Sequence, residues 1–342
     1  YSWPQRDFFL YLFHKIMTMP NSQDLRKYDK TPLVSFIIPT FNTDPTMLRS
    51  CIDSIRNLSL SNDSREIIVI DDGSDTPAIS TLLDISDDII YVRQPNQGIS
   101  RSRNRGIDMA KGKYIQLIDG DDYLLQPTYE HCLDIARYHN PDMIVFDVAY
   151  SPSVTITEDI EGPFTGAAYM QSHNIRGASW CYIFKKDMLQ GLRFRSDMNY
   201  YAEDEEFTAQ LMLHADRLFA TSAKSYFYRQ HKASVLHQHD KRSCIQRLEN
   251  TEKIILHLQE QLNTLPQSKQ FALQRRIAQL SMDHLYNTAR LTHSLSRLEE
   301  TCERLHAHGL FPLAEKNYTA KYRVFQKLCK SSWGRRIIIA TT

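Results

Sequence analysis

The sequence predicts an α/β protein: a doubly wound, mostly parallel sheet with helices on both faces, followed by an all-helical C-terminal region. Three observations predict it. Apolar runs of strand length alternate with helix-spaced segments from Leu33 to about Tyr150, the pattern of parallel strands joined by crossover helices. Clusters of polar and charged residues follow several of the strands, where ligands bind in open sheets of this kind. Beyond His239 the composition shifts towards Gln, Leu, Arg and Glu with few glycines. The expected organisation is an N-terminal extension over 1–30, an α/β domain over 31–239 and a helical region over 240–342.

The extension carries Phe8-Phe9-Leu10-Tyr11-Leu12-Phe13 and then a polar linker. That apolar cluster is expected to dock on the body, with a partner or membrane contact as the alternative. Leu33 to Ile38 forms a first strand, stopped by Pro39. Met47, Leu48, Cys51, Ile52, Ile55 and Leu58 share one face of a helix. A strand over Glu66–Ile70 and a helix over Ile79–Ile85 follow, then a strand over Ile89–Val92 and a helix over Ser100–Ala110. Tyr114–Ile118 is a buried strand, Thr128–Tyr138 a helix and Met143–Val148 another strand. The middle of the chain, 155–229, is less regular, with a strand near Trp180–Phe184 and a helix over Ala202–His214. Several amphipathic helices are expected from Asp240 to about Leu328.

The bulk numbers exclude more than they assign. A formal net charge of +1 gives no whole-molecule reason to bind nucleic acid. The six cysteines are scattered without a CxxC pair, which argues against a zinc site or a disulfide framework and fits a reducing cytoplasm. No apolar run reaches membrane-spanning length and no signal peptide precedes the first strand. A soluble, cytoplasmic protein is the expectation.

The strand at Tyr114 ends in Asp119-Gly120-Asp121-Asp122. Carboxylates crowded this closely repel one another, and hard oxygen ligands suit Mg²⁺ or Mn²⁺. An acidic turn with solvated aspartates is the competing reading. Three other clusters stand beside it: Pro39-Thr40-Phe41-Asn42 after the first strand, Asp71-Asp72-Gly73-Ser74 after the second, and Gln97 to Gly106 opening the third helix. Parallel strands bring all four to one edge. There they offer backbone amides, carboxylates for a base or ribose, arginines for phosphate and aspartates for a metal, a set able to hold a nucleoside diphosphate.

In this order the clusters resemble the family 2 glycosyltransferases, which have the GT-A fold and include many bacterial polysaccharide-building enzymes. Val34-Ser35…Pro39-Thr40-Phe41-Asn42, Val69-Ile70-Asp71-Asp72-Gly73-Ser74, Asn96-Gln97-Gly98-Ile99-Ser100…Arg103-Asn104-Arg105-Gly106 and the acidic cluster match over roughly residues 33–125, and more weakly to about 235. Phe41 stands where a Tyr is usual and Ser102 where an Ala is usual.

The resemblance implies a site. Pro39, Thr40, Phe41 and Asn42 would flank the nucleobase and ribose. Asp72, with Asp71 beside it, would accept from a base N–H, which suits uracil. Gly98, Ser100 and Arg103 would lie by the nucleotide, with Asn104 shaping that loop or, with Gly106, only packing the helix. Asp119 and Gly120 would meet the ribose or donor sugar. Asp121 would hold Mn²⁺ or Mg²⁺, with His231 a further candidate ligand, and Asp122 would order it. Tyr200 to Phe207 resembles the family's E-D motif, whose Asp, here Asp204, is the general base; Glu203 and Glu205 are alternatives. Trp180 and Glu203 would lie on the acceptor side, although a core position suits Trp180 as well.

The expected function is inverting, metal-dependent transfer of a sugar from a UDP-sugar to a hydroxyl of a glycan or lipid-linked glycan. The competing readings are a nucleotidyltransferase and a non-catalytic nucleotide-sugar-binding scaffold of the same fold. The C-terminal stretch, with Lys316, Lys321, Arg323, Lys327, Lys330, Arg335, Arg336 and Trp333, has no acid after Glu315. It is expected either to touch the anionic inner face of a membrane or to be a solvated tail.

Overall fold

The computed structural model describes residues 31–152, 155–196, 203–230, 241–316 and 318–342. The extension over 1–30 and His231 lie outside them. The sheet has nine strands in the order β3-β2-β1-β4-β8-β6-β9-β5, with β7 also on β9. These are β1 (Val34–Thr40), β2 (Arg65–Asp71), β3 (Ile90–Arg93), β4 (Tyr114–Leu117), β5 (Tyr123–Leu124), β6 (Met143–Ala149), β7 (Glu161–Phe164), β8 (Tyr182–Lys185) and β9 (Leu218–Phe227). The first four pair in parallel, as do β6 and β9; β8 runs antiparallel between β4 and β6. All seven residues of β1 are buried, as a strand covered on both faces must be.

The helices of this half are α1 (Pro45–Arg56), α2 (Ile99–Met109), α3 (Gln126–His139), α4 (Gly166–Ser172) and α5 (Glu203–His214). The Asp44 side chain accepts from the Thr46 and Met47 amides, and Pro45 opens the first turn of α1; both devices start helices. Leu48, Cys51, Ile52 and Ile55 form its buried face. The helix α2 lies so close to β1 that a Cβ on Gly106 would sit 2.2 Å from Ile37 Cγ2.

Two local expectations need correction. Ile79–Ile85 is not an α-helix but two short 3₁₀ turns, Ala78–Thr81 and Leu83–Asp88. With Pro77 before it and only Leu82 and Ile85 buried, the segment has no continuous apolar stripe to hold a full helix. The irregular middle hides the longest strand of the sheet, β9, whose Ala-Thr-Ser-Ala-Lys-Ser interior lacks a strong alternating signal.

The helical region comprises α6 (Lys241–Gln261), α7 (Gln267–Thr292), α8 (Leu295–Ala307), α9 (Ala320–Cys329) and α10 (Ser332–Thr341). It is not independent of the sheet. Ile254, Ile255 and Leu258 of α6 and Ala272, Leu273 and Ile277 of α7 belong to the same core as β1 and α5. Further along, Leu285, Leu298, Leu305, Tyr322, Phe325 and Ile338 build a second core. The basic C-terminal stretch is therefore folded, with Ile338 buried in this second core. Among the described residues no helix is long and apolar enough to cross a membrane.

Candidate active site

The ends of β1, β2 and β4 and the start of α2 meet at one edge of the sheet. Thr40 and Asp71 are register partners, and the Asp72 amide donates to the Thr40 carbonyl at 2.9 Å. Asn42, at φ 51°, donates its amide to Ser74 Oγ at 2.9 Å and exchanges side-chain and backbone hydrogen bonds with Asp75. Between these locked loops Phe41 stands half exposed. Gly120 packs under Pro39, where a Cβ would lie 3.3 Å from the Pro39 carbonyl oxygen.

Asp71 and Asp72 are both buried, and both serve the chain itself. Asp71 Oδ1 accepts from the Ser74 amide, and Oδ2 from the Ala78 amide and the Tyr91 hydroxyl. Burial alone would raise the Asp71 carboxyl; these donors more than offset it and hold it below its ordinary value. Asp72 Oδ1 accepts from Gln94 Nε2 at 2.7 Å and the Gln97 amide at 3.0 Å, and Oδ2 from the Gly98 amide at 2.7 Å. This holds Gly98 at φ 91° at the head of α2, a backbone angle that suits glycine. Asp71 and Asp72 thus shape this loop, beside the exposed face of Phe41.

Arg103 is the hub. Only 2% exposed, it donates from Nη2 to Asp119 Oδ1 at 3.0 Å, and from Nη1 to Asp204 Oδ1 at 2.7 Å and Glu203 Oε1 at 3.2 Å. Burial works against its charge, but Asp204, Asp119 and Glu203 outweigh it and raise the pKa. Asn104 turns the other way: its Nδ2 donates to the Phe194 carbonyl and its Oδ1 accepts from the Phe194 amide, each at 2.8 Å. The Phe194 ring stacks on Phe207 of α5 and lies 5.3 Å from the Arg103 guanidinium. Ser100 is buried in α2.

Asp204 stands in the first turn of α5, where the helix dipole favours a carboxylate. Its side chain is 22% exposed. Besides Arg103, Ser179 Oγ donates to Oδ1 at 2.8 Å. Burial pushes the Asp204 carboxyl up to about 7, with Arg103 opposing and Glu203 and Asp119 adding to the rise. That is a suitable range for a general base.

In the acidic turn, Asp122 is buried and accepts from the Tyr226 hydroxyl at 2.7 Å and the Arg229 amide at 2.7 Å. Tyr226 in turn accepts from the Asp119 amide at 3.1 Å. Burial, then Asp119 and Asp121, push the Asp122 carboxyl up to about 8. Burial also raises Asp119, Arg103 opposes, and Asp121 adds to the rise. Carboxylates crowded in one turn have the chemistry that suits a hard divalent cation, and Asp121 is half-buried in that turn. Among the described residues no group of three or more His, Cys, Asp or Glu is placed to hold a metal ion together.

Trp180 is 8% exposed, stacked on Tyr226 at 4.3 Å and near-parallel to Tyr228 at 5.7 Å. Its place is the wall of the site, not an open stacking platform for a sugar. Ser179, Tyr226 and Phe194 were not singled out by the sequence. Ser179 adjoins Trp180, but Tyr226 lies in the strand that the pattern concealed, and nothing local marks Phe194.

Residues 35–180 match the family model described as Glycosyl transferase family 2. EpsH and the uncharacterized glycosyltransferase EpsJ of Bacillus subtilis (strain 168) are each 28% identical to this chain, over 229 and 224 residues, 62% and 60% of this chain. The chain spans 65% and 63% of their lengths. The minor teichoic acid biosynthesis protein GgaB of the same organism is 24% identical over 57% of this chain and 23% of its own. Among solved structures, S. aureus TarS in complex with UDP-GlcNAc superposes with a TM-score of 0.66 at 17% identity over 90% of both chains. The mannosyltransferase PcManGT from Pyrobaculum calidifontis, in complex with GDP-Man and Mn²⁺, gives 0.55 at 15% identity over 92% of this chain and 88% of its own. The fold is GT-A with a substantial C-terminal helical region.

Proposed function

Because this chain belongs to glycosyl transferase family 2, we propose that it transfers a sugar, with inversion, from a UDP-sugar to a hydroxyl of a glycan or lipid-linked glycan. The observation that carries the reading is the Arg103 bridge, which ties the Asp204 carboxylate to Asp119 at the end of β4. It supports Asp204, whose carboxyl is pushed up to about 7, as the base beside Asp119.

The nucleobase rests on Phe41 and the loop shaped by Asp71 and Asp72, and the ribose and donor sugar meet Asp119. Asp204 takes the proton of the acceptor hydroxyl as that oxygen attacks the anomeric carbon in line. The bond from that carbon to the diphosphate breaks, and its electron pair leaves with UDP. Both side chains that donate to Asp204 among the described residues, Arg103 and Ser179, do so on Oδ1. Asp121 would hold Mn²⁺ or Mg²⁺, which when bound would supply Lewis-acid stabilisation to the departing diphosphate. The UDP-GlcNAc in the TarS structure supports a UDP-sugar over the GDP-sugar of PcManGT, whose superposition is weaker.

A thermal-shift titration with UDP, GDP, CDP and dTDP, with and without Mn²⁺, tests this, because a ligand of the folded form raises Tm by mass action. A Mn²⁺-dependent shift with UDP alone is expected. A shift with GDP alone would replace the donor class, and no shift with any nucleotide would overturn the reading.

A peripheral contact with anionic membrane is part of the proposal, and the surface of α9 and α10 supports it. Trp333 is 72% exposed, Val324 is exposed, and Arg323, Lys327 and Arg336 are exposed on the same two helices. Lys330 and Arg335 are less available, being paired with Glu315 and Glu299. Co-sedimentation with phosphatidylglycerol vesicles should fall on Trp333→Ala with Arg336→Gln, and unchanged recovery would dismiss the contact.

A further inference from the structure

The first turn of α5 carries four consecutive acids, Glu203 to Glu206. Like charges at this density splay a helix terminus unless each is countered. Glu203 and Asp204 are held by Arg103 from the sheet domain. The other two are held from the helical region: Arg276 of α7 pairs with Glu205, and His257 of α6 meets Glu206.

Arg276 does more than neutralise Glu205. It is buried, and its Nη1 donates to the Ile175 carbonyl at 3.2 Å. One turn of α7 grips the same loop again: Arg275 donates to the Gln171 carbonyl and to Asn174 Oδ1, which also accepts from Gln279 at 2.7 Å. From Ile175 the chain passes Gly177, where a Cβ would lie 1.8 Å from Glu205 Oε2. Two residues later it reaches Ser179, whose hydroxyl donates to Asp204. One guanidinium therefore anchors both supports of Asp204, the helix that carries it and the loop that hydrogen-bonds it.

We propose that the helical region is a working part of the active site, with Arg276 as a positioning residue that sets Asp204 through Glu205 and the loop leading to Ser179. The inference rests on the reading of Asp204 as the base. Geometry at a base is unforgiving, since misplacement by about 1 Å costs on the order of 100-fold in rate. A side chain that serves packing alone would leave the rate of correctly folded enzyme unchanged.

The test uses the full chain, Mn²⁺ and UDP-GlcNAc, following UDP release against pH, with UDP affinity measured by calorimetry. Arg276→Gln should lower kcat by roughly 10- to 100-fold and move the acid limb of the pH profile. UDP affinity and the donor KM should change little. Arg276→Lys should restore part of the rate, and Arg276→Gln with Glu205→Gln should be no slower than the worse single variant. Unchanged kcat and pH profile in a folded Arg276→Gln protein would overturn the inference, as would an equal loss of UDP binding and kcat. If the wild-type protein releases no UDP, the proposed function is what fails, and amide exchange then decides the positioning role. Faster exchange in 175–180 and the first turn of α5 in Arg276→Gln supports it, and unchanged exchange overturns it.

Discussion

Arg103 Nη1 lies 2.7 Å from Asp204 Oδ1, while Nη2 of the same buried guanidinium lies 3.0 Å from Asp119 Oδ1. A single side chain from α2 thus joins the turn after β4 to the first turn of α5, which are 85 residues apart by number (204 − 119). The planar fork of arginine can make both contacts at once; the point charge of lysine cannot.

Removing that fork leaves three partly buried carboxylates facing one another. Arg103→Met is expected to destabilise the fold by about 3 kcal/mol, the scale for breaking a buried ion pair by deleting one partner. Arg103→Lys should lose less stability but most of the turnover, because Asp204 is no longer tied to Asp119. Urea unfolding with kinetics of UDP release separates the two effects. A Lys variant with wild-type turnover would show that the bidentate geometry is dispensable.

The pKa of Asp204 makes a prediction about pH. Its carboxyl is pushed from 3.8 up to about 7, so the folded state holds that proton more tightly than the unfolded chain. Its contribution to stability is therefore fully present below about pH 4 and is lost as pH rises through about 7. Activity runs the other way, since only the ionised carboxylate accepts a proton. Turnover should climb to a plateau above about pH 7 as the cluster of Asp204, Glu203 and Asp119 loses its proton. Asp204→Asn should abolish turnover while retaining UDP binding, and should flatten the fall in stability between about pH 4 and 7. Unchanged turnover in that variant would move the base to a neighbour such as Glu203.

What was legible in the sequence is what repeats locally. The strands β1, β2 and β4 are short buried runs, and each is followed by a cluster that builds the site. The tie between Arg103 and Asp204 spans 101 residues and has no local signature. Pattern alone gives Asp71 and Asp72 to the ligand, because an acid at a strand end looks the same whether it faces solvent or caps its own loop. Only the three-dimensional path of Gly98 and Gln97 shows where the Asp72 oxygens are used. The strand β9 was illegible for a related reason. Its Ala220, Thr221, Ala223 and Ser225 are buried by neighbouring strands and not by their own hydrophobicity.

Asn104 and Gly106 illustrate residues of a motif that act through packing. Asn104→Ala should cost about 1–3 kcal/mol, because it leaves the buried Phe194 amide and carbonyl without their partners. The loosened Phe194 would also withdraw its ring from Phe207 and Arg103. Gly106→Ala forces a methyl into Ile37 and should cost a similar roughly 1–3 kcal/mol. Both variants should keep Mn²⁺-dependent affinity for UDP at temperatures where they remain folded. A loss of UDP affinity without loss of stability would give either residue a direct role in binding.

Asp121 makes the opposite kind of prediction. It is half-buried, and its charge raises the pKa of both Asp119 and Asp122, so Asp121→Asn removes that repulsion. What it should remove is the part of the UDP thermal shift that depends on Mn²⁺, together with metal-dependent turnover. The residual shift from UDP alone should remain, because Phe41 and the loops held by Asp71 and Asp72 are untouched. A variant that keeps the full Mn²⁺-dependent shift would exclude Asp121 as the metal ligand.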